Sequence, residues 1–240
     1  MRYGIFGDIH GNLEALEAVL SDMQEQGVTH PLCLGDVVGY GADPVACLEW
    51  VQQLNCPIIK GNHDEEAASD KSLEHFSERA AIAMHWTREQ LSAEQKKFLH
   101  ELRYRQQMTD FILVHASLDS PGQWGYINHA LEATASFNYQ LDPLCFIGHT
   151  HVPKIFIKNA EVIEEPFLSF SLEPKCKYLV NVGSVGQPRD GDWRASYAIY
   201  EEGTRTVEPR RVAYNVAKTQ AKIVAAGLPK SLADRLSEGH

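Results

Sequence analysis

Pro57-Ile58-Ile59-Lys60-Gly61-Asn62-His63-Asp64 is a short, mostly apolar run that stops at a glycine and is followed at once by three side chains able to do chemistry. Apolar residues bounded by a turn signal read as a buried strand, here opening into a tight turn. Asn62 offers an amide oxygen to a hard or borderline cation. His63 brings an imidazole that titrates near neutrality, and Asp64 a carboxylate able to hold that imidazole in one tautomer. A simple turn built on Gly61 and Asn62 with a solvated histidine has the same spelling. The company these residues keep decides between the two readings.

Other strands end in the same way. Tyr3 to Phe6 runs into Gly7-Asp8-Ile9-His10-Gly11-Asn12, after which Leu13, Leu16, Val19, Leu20 and Met23 recur at helical spacing until Gly27. On extended backbone, Asp8 and His10 project to one side, where a single cation can take a carboxylate oxygen and an imidazole nitrogen together. Standing alone, Asp-x-His is more simply a helix-capping aspartate beside a polar-turn histidine. Pro31 to Leu34 leads into Gly35-Asp36, and Asp43 and Pro44 then start a helix through Leu54 as N-cap and first-turn residues. Asp36 repeats the placement of Asp8, and a second strand-end carboxylate is a usual source of an oxygen bridging two cations, although Gly-Asp turns are common. Phe111 to Val114 delivers His115, a position that a satisfied core histidine also fills. The strongest single signal is Gly148-His149-Thr150-His151 after the apolar Leu144 to Ile147. There, extended backbone turns both imidazoles to one face while Gly148 permits close backbone approach.

Between these strand ends the pattern is helical from Ser72 to Leu102, with Phe76, Ala80, Ala83 and Trp86 on one stripe and a Ser92 to Gln95 capping box. His75, His85 and His100 fall on this stretch and read as surface or helix-packing histidines. Trp124 and Tyr126, in a loop with Gly122 and Gly125, either stack on a substrate group or pack the loop onto the body. Alternating segments at 154–158, 167–171, 178–182, 195–200 and 205–214 suggest antiparallel strands. Arg189, in the glycine-rich turn 181–190, reaches a phosphate or pairs with Asp190 or Asp192. Amphipathic helices are expected over 215–226 and 231–236.

A chain of 240 residues buries a full core and reads as one domain over 1–240. Its formal charge of -10, with no Lys/Arg block, argues against general nucleic-acid binding, whereas small anionic substrates remain compatible because bound cations reverse a local field. The five cysteines are widely spaced without a Cys-x-x-Cys pair and read as reduced thiols. With no basic leader and no apolar run of about 18 residues, the expected location is the cytoplasm, without membrane contact. Oligomeric state leaves no mark on the sequence.

Strand ends therefore deliver Asp8, His10, Asp36, Asn62, His115, His149 and His151, a sulfur-free nitrogen and oxygen set too large for one structural zinc. Manganese, iron or zinc would each be satisfied by it. In this set the chain resembles the calcineurin-like metallophosphoesterases, whose series D-x-H, G-D, G-N-H-[DE], H and G-H-x-H occurs in order across residues 8 to 151. The ending NVGSVGQPRDGD at 181–192 looks like the compact bacterial phosphodiesterase branch.

The resemblance implies an α/β (α+β) fold of two facing mixed β-sheets flanked by helices in four layers. It also implies two divalent ions, manganese the first candidate and iron or zinc the others. One would be held by Asp8, His10, Asp36 and His151, and the other by Asp36, Asn62, His115 and His149. Attack by a metal-bridging hydroxide would then hydrolyse a small phosphodiester, nucleotide or phosphomonoester. His63, oriented by Asp64, would stabilise the transferring group or protonate the departing oxygen. Arg189 and Tyr126 are the substrate-side candidates. Runner-up readings are a dinucleoside polyphosphate hydrolase, a phosphoprotein phosphatase, or a non-catalytic scaffold of the same fold. Gly39 and Tyr40 stand where phosphoprotein phosphatases of the superfamily carry an Asp-Arg pair, which removes the arginine that would grip a phosphoprotein. Ala116 and Val182 are smaller departures from the family pattern.

Overall fold

Strands that are apolar at every position need both faces covered, and this requirement sets the layering of the molecule. The computed structural model describes residues 1–74 and 76–240. It begins with β1 (Arg2–Phe6), α1 (Leu13–Glu25), β2 (His30–Cys33), α2 (Pro44–Gln53), α3 (Asn62–Ala67), α4 (Glu78–Gln90) and α5 (Ala93–Glu101). It continues through β3 (Arg105–Gln107), β4 (Phe111–Val114), α6 (Ala130–Phe137), β5 (Leu144–Ile147), β6 (Lys154–Lys158), β7 (Val162–Pro166), β8 (Phe170–Ser171) and β9 (Lys177–Asn181). It closes with β10 (Ala195–Glu201), β11 (Thr206–Val212), α7 (Val216–Ala225) and α8 (Lys230–Asp234).

Among the described residues the strands form a five-stranded sheet, β2-β1-β10-β11-β8, and a six-stranded sheet, β3-β4-β5-β9-β6-β7. Both are mixed: β1 runs parallel to β2 but antiparallel to β10, and β9 runs parallel to β5 but antiparallel to β6. Alternation along each strand divides the core. Ile5, Leu32, Phe111, Leu113, Phe146, Val180 and Tyr200 meet between the sheets. Phe6, Cys33 and Tyr197 turn outward onto Leu16, Val19 and Val51 of α1 and α2. Ile112, Cys145 and Leu179 turn the other way, onto Ala133 and Phe137 of α6. Helix, sheet, sheet, helix is the four-layer α/β arrangement expected.

The structure revises several local readings. Pro57 to Lys60 makes only isolated bridges, Cys33 to Ile58 and Ile59 to Arg103, and the following residues enter α3 rather than a plain turn. The helical stretch starts at Glu78 instead of Ser72, and the expectation for His75 lies outside the described residues. His85 and His100 are exposed on α4 and α5, and the Ser92 to Gln95 box forms with bonds of 2.9 and 3.2 Å. Asp43 precedes α2 without capping it, because its carboxylate is taken by Lys222 Nζ at 2.8 Å. The expected strand 167–171 shrinks to β8, preceded by the edge strand β7. Leu144 to Ile147 agrees with expectation, and the strand read from Tyr3 to Phe6 starts one residue earlier, at Arg2. All five cysteines are free, and no helix among the described residues is long and apolar enough to cross a membrane.

Phe146 sits where the two sheets touch, with its ring centroid 5.6 Å from that of Phe111 and 6.3 Å from that of Tyr200. Phe146→Ala is expected to lower the unfolding free energy by about 3–5 kcal/mol, through lost burial and the cavity left behind. Urea denaturation checks this, and a loss below about 1 kcal/mol would show that the sheets do not depend on this contact.

Candidate metal centre

The loops after β1, β2, β4 and β5 lie side by side and are stitched together through the main chain. Asp8, Ile9 and His10 donate their N–H groups to the carbonyls of Gly35 and Asp36 at 2.9 Å, and Gly148 donates to His115 at 2.9 Å. The turn after β9 joins them, with Gly186 donating to Asp8 at 2.9 Å. Within this knot the backbone is not extended. Asp8, His10, Asp36, His149 and His151 have φ of 51°, 49°, 51°, 69° and 62°. Convergence of Asp8 with His10, and of His149 with His151, therefore comes from left-handed turns and not from the alternation of a strand. Each such residue costs on the order of 1 kcal/mol, and strain of this kind concentrates at functional sites.

Six of the seven metal-ligand candidates arrive at one place. Asp8, His10 and His151 present ligand atoms within 4.8 Å of one another, as do Asp36, His115 and His149. His151 Nε2 lies 3.1 Å from Asp8 Oδ1, and His115 Nε2 lies 3.3 Å from Asp36 Oδ2 and 3.9 Å from Asp8 Oδ1. His10 Nε2 is 3.7 Å from Asp36 Oδ2, so Asp36 faces both groups. The Oδ1 of Asn62 is buried nearby without a hydrogen-bond partner. His63 also comes within ligand range of His10 and Asp36, and its backbone N–H donates to Asp36 Oδ1 at 2.8 Å.

The far nitrogens of the histidines settle which nitrogens face inward. His115 Nδ1 lies 2.8 Å from the carbonyl of Leu34, His151 Nδ1 lies 2.7 Å from that of Gln187, and His10 Nδ1 lies 3.3 Å from that of Val38. Each carbonyl is an acceptor, so each Nδ1 carries a proton; in the neutral rings of His10 and His151 this leaves an Nε2 lone pair facing the cluster, whereas the Nε2 of His115 faces Asp36. His149 is reversed, with its Nε2 donating to the carbonyl of Trp124 at 2.9 Å. As a result, the Nε2 atoms of His10 and His151 sit 3.0 Å apart with lone pairs opposed, while His115 Nε2 is buried without a hydrogen-bond partner. Opposed lone pairs and an orphaned amide oxygen fit divalent cations.

Electrostatics agrees. Burial holds His10 and His151 well below the usual imidazole range, aided by the charges of His63 and Arg189 respectively. Burial likewise lowers His63 and His149 to about 4. All four are thus neutral, the form that ligates. At His115 burial acts in the same direction but is outweighed by Asp36 and Asp8, which raise it to about 10. The space between those carboxylates is where positive charge is most wanted.

Asp64 departs from expectation. Its carboxylate accepts the backbone N–H groups of Asp36 at 2.7 Å, Val37 at 2.9 Å and Gly61 at 3.1 Å, so it clamps two loops and does not hold the His63 ring. His63 Nδ1 is buried with no hydrogen-bond partner, and the ring is set by packing against Tyr40, His10 and Phe76 at 4.5, 4.7 and 5.3 Å. Arg189 donates to Gln187 Oε1 at 2.9 Å and pairs with neither Asp190 nor Asp192, which are held by Arg211 and Arg194. Tyr126 stacks on His149 at 4.1 Å and is 52% exposed at the mouth of a cleft of about 390 Å³ lined by Tyr40, His63, Phe76 and Trp124. A larger hollow of about 530 Å³ beside Leu20 and Trp50 is lined by no histidine among the described residues. The carbonyls of Gln187 and Trp124 escaped the sequence reading, since a main-chain acceptor has no residue signature.

The comparisons with known proteins fit this geometry. Residues 1–205 match the model of the calcineurin-like phosphoesterase superfamily domain. The chain belongs to the calcineurin-like phosphoesterase superfamily. It is 42% identical to a metallophosphoesterase from Sphaerobacter thermophilus, with a TM-score of 0.89 and coverage of 100% of this chain and 99% of that one. An uncharacterized protein of Methanocaldococcus jannaschii is 39% identical over 98% of this chain and 97% of its own length. A hypothetical protein from Pyrococcus horikoshii shares the fold, with a TM-score of 0.81 at 19% identity over 100% and 98% of the two chains.

Within this superfamily scaffold Gly148 is a sensitive point, because a Cβ there would sit 2.2 Å from Asp8 Oδ2. Gly148→Ala is expected to displace Asp8 and weaken divalent-cation binding by about tenfold or more, as measured by equilibrium dialysis with manganese as the probe ion on protein with an unchanged circular dichroism spectrum. Unaltered affinity would mean that Asp8 takes no part in binding the ion.

Proposed function

We propose that this chain is a cytoplasmic, metal-dependent phosphoric ester hydrolase acting on a small phosphodiester, nucleotide or related phosphomonoester. The observation that carries the reading is the meeting of two nitrogen and oxygen ligand groups at Asp36, with the opposed lone pairs of His10 and His151 beside it. In this reading Asp8, His10, Asp36 and His151 hold one divalent ion, and Asp36, Asn62, His115 and His149 the other. Manganese is the first choice of metal, with iron or zinc as alternatives. When bound, such a pair supplies charge for the phosphoryl oxygens and makes a water acidic enough to attack at neutral pH.

The remaining work falls to side chains at the cleft. Tyr126 and Trp124 offer aromatic surface at the mouth, suited to a planar group on the ester. In this reading His63, which lines the cleft, gives a proton to the departing oxygen or a hydrogen bond to the transferring group. Gly39, with φ +90°, makes room for it: a Cβ at that position would lie 2.4 Å from His63 Nδ1.

The test is hydrolysis of bis(4-nitrophenyl) phosphate and 4-nitrophenyl phosphate by protein loaded with manganese, iron or zinc. Product with at least one ion is expected, and none with any ion would favour a scaffold role. His63→Ala is expected to retain both metals by elemental analysis yet to lose about 10²–10⁴ in turnover of an ester with a poor leaving group. Undiminished turnover by the metal-loaded variant would remove His63 from the mechanism.

A further inference from the structure

A chain of net charge -10 has to build any further phosphate recognition locally, and arginines collect beside Tyr40, a residue that lines the cleft. Arg189 follows β9, Arg235 lies in the 3-10 turn after α8, and Arg79 is in the first turn of α4. Arg189 Nη2 and Arg235 Nη1 donate to the same acceptor, Gln187 Oε1, at 2.9 and 3.1 Å. Sharing one atom keeps the two guanidinium nitrogens within about 6 Å of each other, where like charges repel unless an anion joins them. The acids beside them are occupied elsewhere: Asp190 by Arg211, Asp192 by Arg194, and Asp234 by Lys230. Among the described residues no Asp or Glu side chain forms an ion pair with Arg79, Arg189 or Arg235, although Arg235 Nε donates to the main-chain oxygen of His240.

The cluster adjoins the metal ligands. Arg189 donates its backbone N–H to the carbonyl of His151 at 3.2 Å, and Gln187, which holds both guanidiniums, accepts from His151 Nδ1 at 2.7 Å. Arg189 also opposes protonation of His63 and His151, and burial followed by the charges of Arg189 and Arg79 lowers Arg235 to about 10. Tyr40 packs on His63 at 4.5 Å and against the C-terminal apolar set of Ile223, Leu232 and Leu236. Arg235 belongs to a segment beyond residues 1–205, the part that matches the superfamily domain.

We propose, resting on the phosphoesterase reading above, that Arg189 and Arg235, with Arg79 at the rim, bind a second phosphate of the substrate, adjacent to the one cleaved. Guanidinium pairs suit this task because each presents a planar fork of donors matched to phosphate oxygens. The preferred substrate then carries a phosphoanhydride next to the scissile bond, and the segment after β11 tunes selectivity.

A matched pair of esters tests this: thymidine 5′-monophosphate 4-nitrophenyl ester and its 5′-diphosphate homologue, aryl-esterified at the terminal phosphate. In either, water adds to the aryl-bearing phosphorus, the bond from phosphorus to the aryl oxygen breaks with its electron pair, and 4-nitrophenol leaves with the proton. Manganese-loaded wild type is expected to favour the diphosphate in kcat/KM by about tenfold or more. Arg189→Gln and Arg235→Gln should each bring that ratio toward one, mainly through KM, with Arg235→Lys restoring part of it. Arg211→Gln, which alters a guanidinium already held by Asp190, should keep the wild-type ratio. A wild-type ratio near one overturns the proposal without recourse to any variant, as does a preference that survives both glutamine substitutions in folded protein. Equal turnover of the two esters leaves the phosphoesterase reading standing, whereas no turnover of either with any divalent ion removes both.

Discussion

Two carboxylates taken out of water side by side, Asp8 and Asp36, impose the constraint from which the rest of the centre follows. An unpaired buried carboxylate costs several kcal/mol even after the protein relaxes, so cationic partners must be brought to it. Five imidazoles surround the pair, four of them lowered by burial and the fifth, His115, raised by the carboxylates themselves. Such a cluster is not built for stability. It requires left-handed backbone at five ligand candidates and main-chain carbonyls spent on orienting rings, and the surrounding sheets hold this in place. A site that accepts cations is the economical explanation of strain and uncompensated charge occurring together.

Much of this was legible in sequence, for a reason that concerns strand ends. An apolar run followed by Gly and then Asp or His marks both a buried strand and the loop it presents, so Asp8, Asp36 and His149 announced themselves, with His151 two residues on, whereas His115 directly follows Val114 and gained meaning only from that company. The route by which they converge was not legible. Alternation on extended backbone predicts the correct pairs on the wrong geometry, because left-handed φ at Asp, Asn or His leaves no trace in spacing. The start of α3 was hidden by its own site residues, since Gly61-Asn62 spells a turn and a helix N-terminus equally well. Edge strand β3 has no apolar alternation, and its pairing with β4 is a tertiary fact. Contacts distant in sequence were invisible altogether, such as Gln187 with His151 or Arg235 with Gln187.

Asp64 illustrates how one residue type serves two purposes that sequence cannot separate. A carboxylate following a histidine suggests a partner that fixes the imidazole's tautomer, yet its oxygens are occupied by three backbone N–H groups from two loops. Burial and the nearby Asp36 raise it to about 7 in spite of those donors, so its hold on the loops is an opposed one. The consequence for His63 is indirect: Asp64 fixes the backbone that carries both the histidine and Asp36, and aromatic packing orients the ring. The imidazole is left without an ionic partner at Asp64, and its Nδ1 is buried against Gly39.

The substitution of Gly39 and Tyr40 for an Asp-Arg pair acquires meaning from the same packing. Gly39 is confined to glycine by φ +90° and by the 2.4 Å that a Cβ would leave to His63 Nδ1, so this loop has no room for a larger residue there. Tyr40 places its ring, not a charge, against His10 and His63. Positive charge lost from that loop reappears behind Tyr40, carried by Arg189 and by Arg235 from the end of the chain. Because these guanidiniums are anchored to Gln187, which also orients His151, a ligand drawn to them is registered against the ligand groups themselves. Selectivity and reactivity then share one rigid support, which gives the segment after β11 a physical reason to pack where it does.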